Sequence, residues 1–174
     1  MTVTKHTDRD IILHAFTFFQ DASEGAGLQM ERIQQNPANN AKTTSHLWHD
    51  WQTLVTHLWR MRKAALLLGN AKIANAKVQK AVAAFDKVLP SLKTYRDVFE
   101  HMDEYVFEND KRHYKHIGSS WLQTGAVSND YYAWSIIDDV GMFLPKVADA
   151  SSELYHSIKA IRDEVRGIAA SDQS

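Results

Sequence analysis

The segment Arg96-Asp97-Val98-Phe99-Glu100-His101 places a permanent cation, two carboxylates and a titratable imidazole within six residues. On an α-helix, which turns about 100° per residue, Arg96, Asp97, Glu100, His101 and Glu104 fall within an arc of roughly 140°. Leu92, Tyr95, Val98, Phe99, Met102 and Val106 occupy the opposite arc. The charged residues therefore form their own face, which the pattern predicts to point away from the core. Histidine titrates near neutrality and serves as a general base or acid. An arginine offers a planar fork of donors to a phosphate in a transition state. Those are the parts that metal-free RNA cleavage needs: a base for the 2′-hydroxyl, an acid for the leaving oxygen and a cation for the phosphate. The same residues also read as a solvated helix face carrying an Arg96–Glu100 pair, which contributes about 0.2–0.5 kcal/mol.

Arg96-x4-His101, with polar Asp97 directly after the arginine, resembles the R-x(4–6)-H signature of the HEPN superfamily. That resemblance implies an α-helical bundle and a metal-independent ribonuclease of the toxin or defence type. It also implies a homodimer in which arginine and histidine from both subunits meet. By resemblance, Arg96 and His101 take the two named positions of the motif, Asp97 the polar position after the arginine, and Glu100 lies beside the histidine. Such a protein has no cofactor, and its partners are RNA and an antitoxin or other protein. A single helix face makes no pocket, whereas a two-fold dimer would place two such faces across a cleft.

Directly after this helix comes Lys111-Arg112-His113-Tyr114-Lys115-His116, a basic run with an interleaved aromatic. That mixture suits phosphate contact and base stacking, so the run is a candidate RNA-binding segment. Its alternative reading is a basic helix end that complements the helix dipole. Histidines and carboxylates also raise a metal-binding alternative: His46, His49, Asp50 and His57 upstream, Glu104, Asp110, His113 and His116 downstream. Paired E-x-x-H motifs are absent, and Asp110 and His113, which have carboxylate-x-x-His spacing, lie in a run rich in lysine and arginine, so no metal site is assigned. A non-catalytic bundle that docks a protein or nucleotide on the same charged face is a further alternative.

Composition bounds these readings. Among 174 residues there are three prolines and seven glycines, which favours long helices. No cysteine is present, which excludes disulfides, thiolate zinc sites and cysteine nucleophiles and fits a reducing cytoplasm. The net charge of −1 leaves no broadly basic surface, so any RNA contact is local. The first ten residues lack a signal-peptide core, and no apolar run is long enough to span a membrane. P-loop, dinucleotide-glycine, nucleophile-elbow and H-E-x-x-H patterns are all absent.

Hydrophobic periodicity predicts the elements that position the charged face. A first helix spans 8–34, with Asp8 as N-cap and a bend at Gly25 and Gly27. A second spans 45–68, carries Trp48, Trp51 and Trp59 as core or near-core residues, and ends at Gly69-Asn70. A third region runs from about 74 to 109, broken near Leu89-Pro90, and its second part carries the Arg96 face. Segments 120–124 and 131–136 flank the turn-like Ser128-Asn129-Asp130 and predict a small hairpin containing Trp121 and Trp134. The last helix is expected from Asp138 or Asp139 to about Arg166, with a frayed tail over 169–174. The whole reads as one all-α domain, 1–174: a four- or five-helix antiparallel bundle with a small hairpin or irregular insert before the last helix.

Overall fold

Thr7 starts the first helix. Its hydroxyl accepts from the Asp10 amide at 3.2 Å, and its own amide donates to Asp10 Oδ2 at 3.0 Å, a reciprocal capping box. Thr7, not Asp8, is thus the cap. Asp8 instead accepts from the Ile73 amide at 3.2 Å and ties a distant turn to this helix. In a computed structural model, residues 7–35, 41–100, 125–134 and 141–171 are described. The helices are α1 (Asp8–Gln35), α2 (Ala41–Leu68), α3 (Asn75–Val88), α4 (Leu92–Glu100) and α5 (Leu144–Ser171). The expected all-α bundle is observed, with a small sheet inserted before the last helix.

Antiparallel pairing follows from the contacts. Arg32 meets Asp50 and Gly25 meets His57, so α1 and α2 run in opposite directions. Phe19 stacks on Tyr155 and Phe16 lies under Arg162, which sets α5 antiparallel to α1. Arg62 pairs with Asp86, and Gly69 sits against Val78, which does the same for α3 and α2. Between these helices lies one apolar core that includes Ile12, Phe19, Leu54, Leu58, Val78 and Ile158.

The proline-marked break is observed. α3 stops at Val88, Leu89-Pro90-Ser91 form a turn, and α4 resumes at Leu92. No break divides α1, which is one continuous helix through Gly25 and Gly27. Gly25 is there for contact: a Cβ at this position would lie 2.3 Å from the His57 ring. α2 ends as expected at Gly69-Asn70, where the Gly69 amide donates to Ala65 O at 3.3 Å.

The insert is a three-stranded antiparallel sheet in the order β1-β2-β3: Gly125–Val127, Tyr131–Trp134 and Met142–Phe143. Val127 pairs with Tyr132, and Tyr132 with Met142. The expected turn at 128–130 is present. Ser128 Oγ accepts from the amides of Asp130 and Tyr131 at 3.3 and 3.0 Å. Expected strand 120–124, with Trp121, lies outside the described residues. The last helix begins at Leu144 rather than at 138 or 139. Phe143, expected on its apolar face, instead forms with Met142 a strand paired to β2. Pro145 occupies the first turn of this helix, where a missing N–H costs nothing. At its other end α5 continues to Ser171, beyond the expected limit near Arg166.

Tyr132 joins the sheet to the bundle. Fully buried, it lies 5.4 Å from Trp51 in a stacked geometry, 5.3 Å from Tyr95 and 5.0 Å from Trp48 edge-on. Burial, and secondarily the neighbouring Tyr95, push its phenol pKa far above the ordinary value. Trp51 donates from Nε1 to Ser128 O at 3.0 Å, and Asn129 donates to Ile33 O. These contacts fix the sheet to α1, α2 and α4.

Candidate functional site

α4 packs on α2 through Leu92 and Tyr95, both buried. Arg96 is the next residue round the helix, so it falls at the edge of that interface. Its guanidinium lies 5.5 Å from the centre of the Trp59 ring on α2. One arm donates to Asp97 Oδ1 at 2.8 Å, and the other is paired with Glu100. Nε is buried and has no hydrogen-bond acceptor among the described residues. The Arg96 side chain is 29% exposed and that of Asp97 21%, against 46% for Glu100. This corrects the expected orientation: the charged face does not turn away from the bundle but closes partly onto α2. The expected Arg96–Glu100 pair is present.

Hydrogen bonding to Asp97, foremost, and then to Glu100 raises the Arg96 pKa above its ordinary value, while partial burial acts the other way. Arg96 is therefore a fixed cation at any working pH. Lys93 reaches the second oxygen of Asp97 at 3.9 Å, so this carboxylate lies between two cations.

Trp59 is the centre of the arrangement. Arg62 and Lys63, from its own helix, each lie 5.2 Å from the ring centre. Arg62 is fixed by Asp86 of α3 through two parallel bonds of 2.6 and 2.7 Å. An indole attracts cations through its negative face, by about 0.5–1 kcal/mol at exposed sites. Three cations from α2 and α4 thus gather at one aromatic residue. Helical periodicity marks Trp59 as a core or near-core residue and does not single out Arg62, Lys63 or Asp86. Its available signal was the run Trp59-Arg60-Met61-Arg62-Lys63, an aromatic followed by alternating cations.

Of the residues predicted from sequence, Arg96, Asp97 and Glu100 are brought together. His101 and the whole run Lys111-Arg112-His113-Tyr114-Lys115-His116 lie outside the described residues, as do Glu104 and Asp110. The upstream metal candidates do not converge. His46 and His49 are exposed, while Asp50 is buried and paired with Arg32 at 2.9 Å. His57 points instead at Gly25. Among the described residues no group of three or more histidines and carboxylates is placed to hold a metal ion.

Compared with protein-family models, curated proteins and solved structures, the chain matches none. No helix among the described residues is long and apolar enough to cross a membrane.

Proposed function

We propose that this protein is a HEPN-like, metal-independent ribonuclease acting as a homodimer, with Arg96 as phosphate ligand and His101 as proton carrier. One observation carries the reading. Asp97, Glu100 and Trp59 hold the Arg96 guanidinium in one orientation on α4, and His101 follows Glu100 directly in the sequence. A preset cation stabilises developing phosphorane charge without reorganising during the reaction. Two carboxylates offset its charge in the resting state. Glu100 is the more exposed of the two, so an incoming phosphate replaces Glu100 while Asp97 keeps the fork aligned.

In this scheme His101 of one copy takes the proton of a 2′-hydroxyl, and the 2′-oxygen attacks the adjacent phosphorus. The 5′-oxygen leaves with a proton from His101 of the other copy. The products are a 2′,3′-cyclic phosphate and a free 5′-hydroxyl. Lys111, Arg112, Lys115 and Tyr114 would extend the groove along the RNA, with His113 and His116 as further donors. An antitoxin or other protein partner would cover the same face.

A second reading has its own support. Arg96 is already held by two carboxylates and an indole, as suits a pin between α4 and α2 in a non-catalytic bundle that docks a protein or nucleotide. His101→Ala separates the two readings. The ribonuclease reading expects RNA cleavage in the presence of a metal chelator by the parent protein, its loss in the variant, and an unchanged melting temperature. Equal cleavage by parent and variant, or a strictly monomeric active species by sedimentation, removes the composite-site assignment.

A further inference from the structure

A second region, built from other residues, has the chemistry of a ligand site. Between the α3–α4 turn and the β3–α5 junction lies a cavity of about 310 Å³. That is the lower end of the range for small-molecule sites, about 300–1,000 Å³. Lys87 stands on one wall and Lys146 on the other, and no acidic residue is among the described residues that line it. Neither lysine has a carboxylate partner among the described residues, unlike Arg62, Lys77 and Arg96, which pair with Asp86, Glu164 and Asp97. Lys146 instead sits 5.5 Å from the centre of the Phe143 ring.

The rest of the lining is apolar and open. Val88 is 41% exposed and Phe143 47%, and Pro90 adjoins them. Large apolar side chains left this open at a cavity mark contact sites more often than isolated surface residues do. Ser91 lines the same cavity. It is only 9% exposed, and its hydroxyl has no hydrogen-bond partner among the described residues. Two exposed ammonium groups without a carboxylate partner suit an anion, the Ser91 hydroxyl adds a donor, and the exposed ring and branched side chain suit an apolar body.

We propose that this cavity binds a small amphiphilic anion, a carboxylate or phosphate monoester with a short apolar tail. Its head group lies on Lys87, Lys146 and Ser91, and its tail covers Val88 and Phe143. Lysine suits this role because its ammonium acts as a mobile point charge and makes charge-assisted hydrogen bonds to either head group.

Decanoate below its micellar range, titrated into the full chain and followed by calorimetry, is the test. Saturable one-site binding is expected, with decanol and inorganic phosphate each at least about tenfold weaker, because each lacks one half of the match. The double substitution Lys87→Gln with Lys146→Gln is expected to weaken decanoate by about tenfold or more. Phe143→Ala should weaken it without changing the preference for an anion. All three positions are on the surface of the lining, so circular dichroism should report an unchanged fold. Decyl phosphate in place of decanoate tells which head group is preferred. The proposal fails if decanoate does not saturate the protein or if the double variant binds it equally well. It also fails if the chain binds phosphatidylglycerol vesicles but not free decanoate or decyl phosphate, since the lysines would then serve a membrane surface.

Discussion

The Arg96 guanidinium lies 5.5 Å from the centre of the Trp59 indole, so the arginine of the candidate motif is also a contact between α4 and α2. Removing either partner should destabilise the protein, and removing both should cost less than the sum. A double-mutant cycle of Trp59→Leu and Arg96→Ala, read by urea denaturation, is expected to give a coupling of about 0.5–1 kcal/mol. A coupling of zero would mean that the indole does not hold the arginine, and the preset orientation would lose its support.

Tyr132 carries the attachment of the sheet. Tyr132→Ala should cost about 3–5 kcal/mol, the range for truncating a buried aromatic. Trp51→Phe keeps most of the packing but loses the bond to Ser128 O, a loss of about 1 kcal/mol. Near-ultraviolet circular dichroism should weaken in both, because Trp48, Trp51, Tyr95 and Tyr132 form one aromatic group. A Tyr132→Ala protein as stable as the parent would show that the sheet is dispensable.

Gly25 and Gly27 should respond in opposite ways to the same substitution. Nothing lies within 4 Å of a Cβ at Gly27, so Gly27→Ala gains helix propensity and should stabilise by about 0.5–1 kcal/mol. At Gly25 the added carbon meets the His57 ring at 2.3 Å, and Gly25→Ala should destabilise despite the same propensity gain. Thermal melts of the two variants, measured side by side, decide this.

His57 makes stability depend on pH. Burial, foremost, and then the charge of Arg60 lower its pKa below 6.5, with Asp21 acting in the opposite sense. Above 6.5 the imidazole is neutral in both the folded and the unfolded chain and the dependence is flat. As pH falls from 6.5 towards the folded pKa, the unfolded chain binds the proton more readily, so stability declines. His57→Gln is expected to flatten this part of the stability curve, measured by denaturation at a series of pH values between about 4.5 and 7.5. An unchanged slope would assign the dependence to other groups.

Much of the architecture was legible from spacing. The α1 and α2 stripes, the stop at Gly69-Asn70, the break at Leu89-Pro90 and the turn at 128–130 all follow from local rules. What escaped depended on partners distant in the chain. Met142 and Phe143 continue the apolar pattern of α5, but pairing with β2 draws them into a strand. With a helix start at 138 or 139 the proline after them reads as a bend, whereas the strand moves the start to Leu144 and puts Pro145 in the first turn. Asp8 has the right type for a cap, yet Thr7 forms the capping box and Asp8 bonds to Ile73. For the candidate site, the grouping of Arg96, Asp97 and Glu100 was visible because it lies within one turn. Trp59, Arg62 and Lys63 were not, because helical periodicity reports which side chains face the core but not which helix lies beside them.

The buried Tyr132 has a consequence for how the chain is made. Translation delivers α1 through α4 first, and the ring that seals Trp51 and Tyr95 leaves the ribosome tens of residues later. Until then a nascent chain presents an open aromatic socket. That interval is when it is most prone to stick to another copy or to recruit a chaperone.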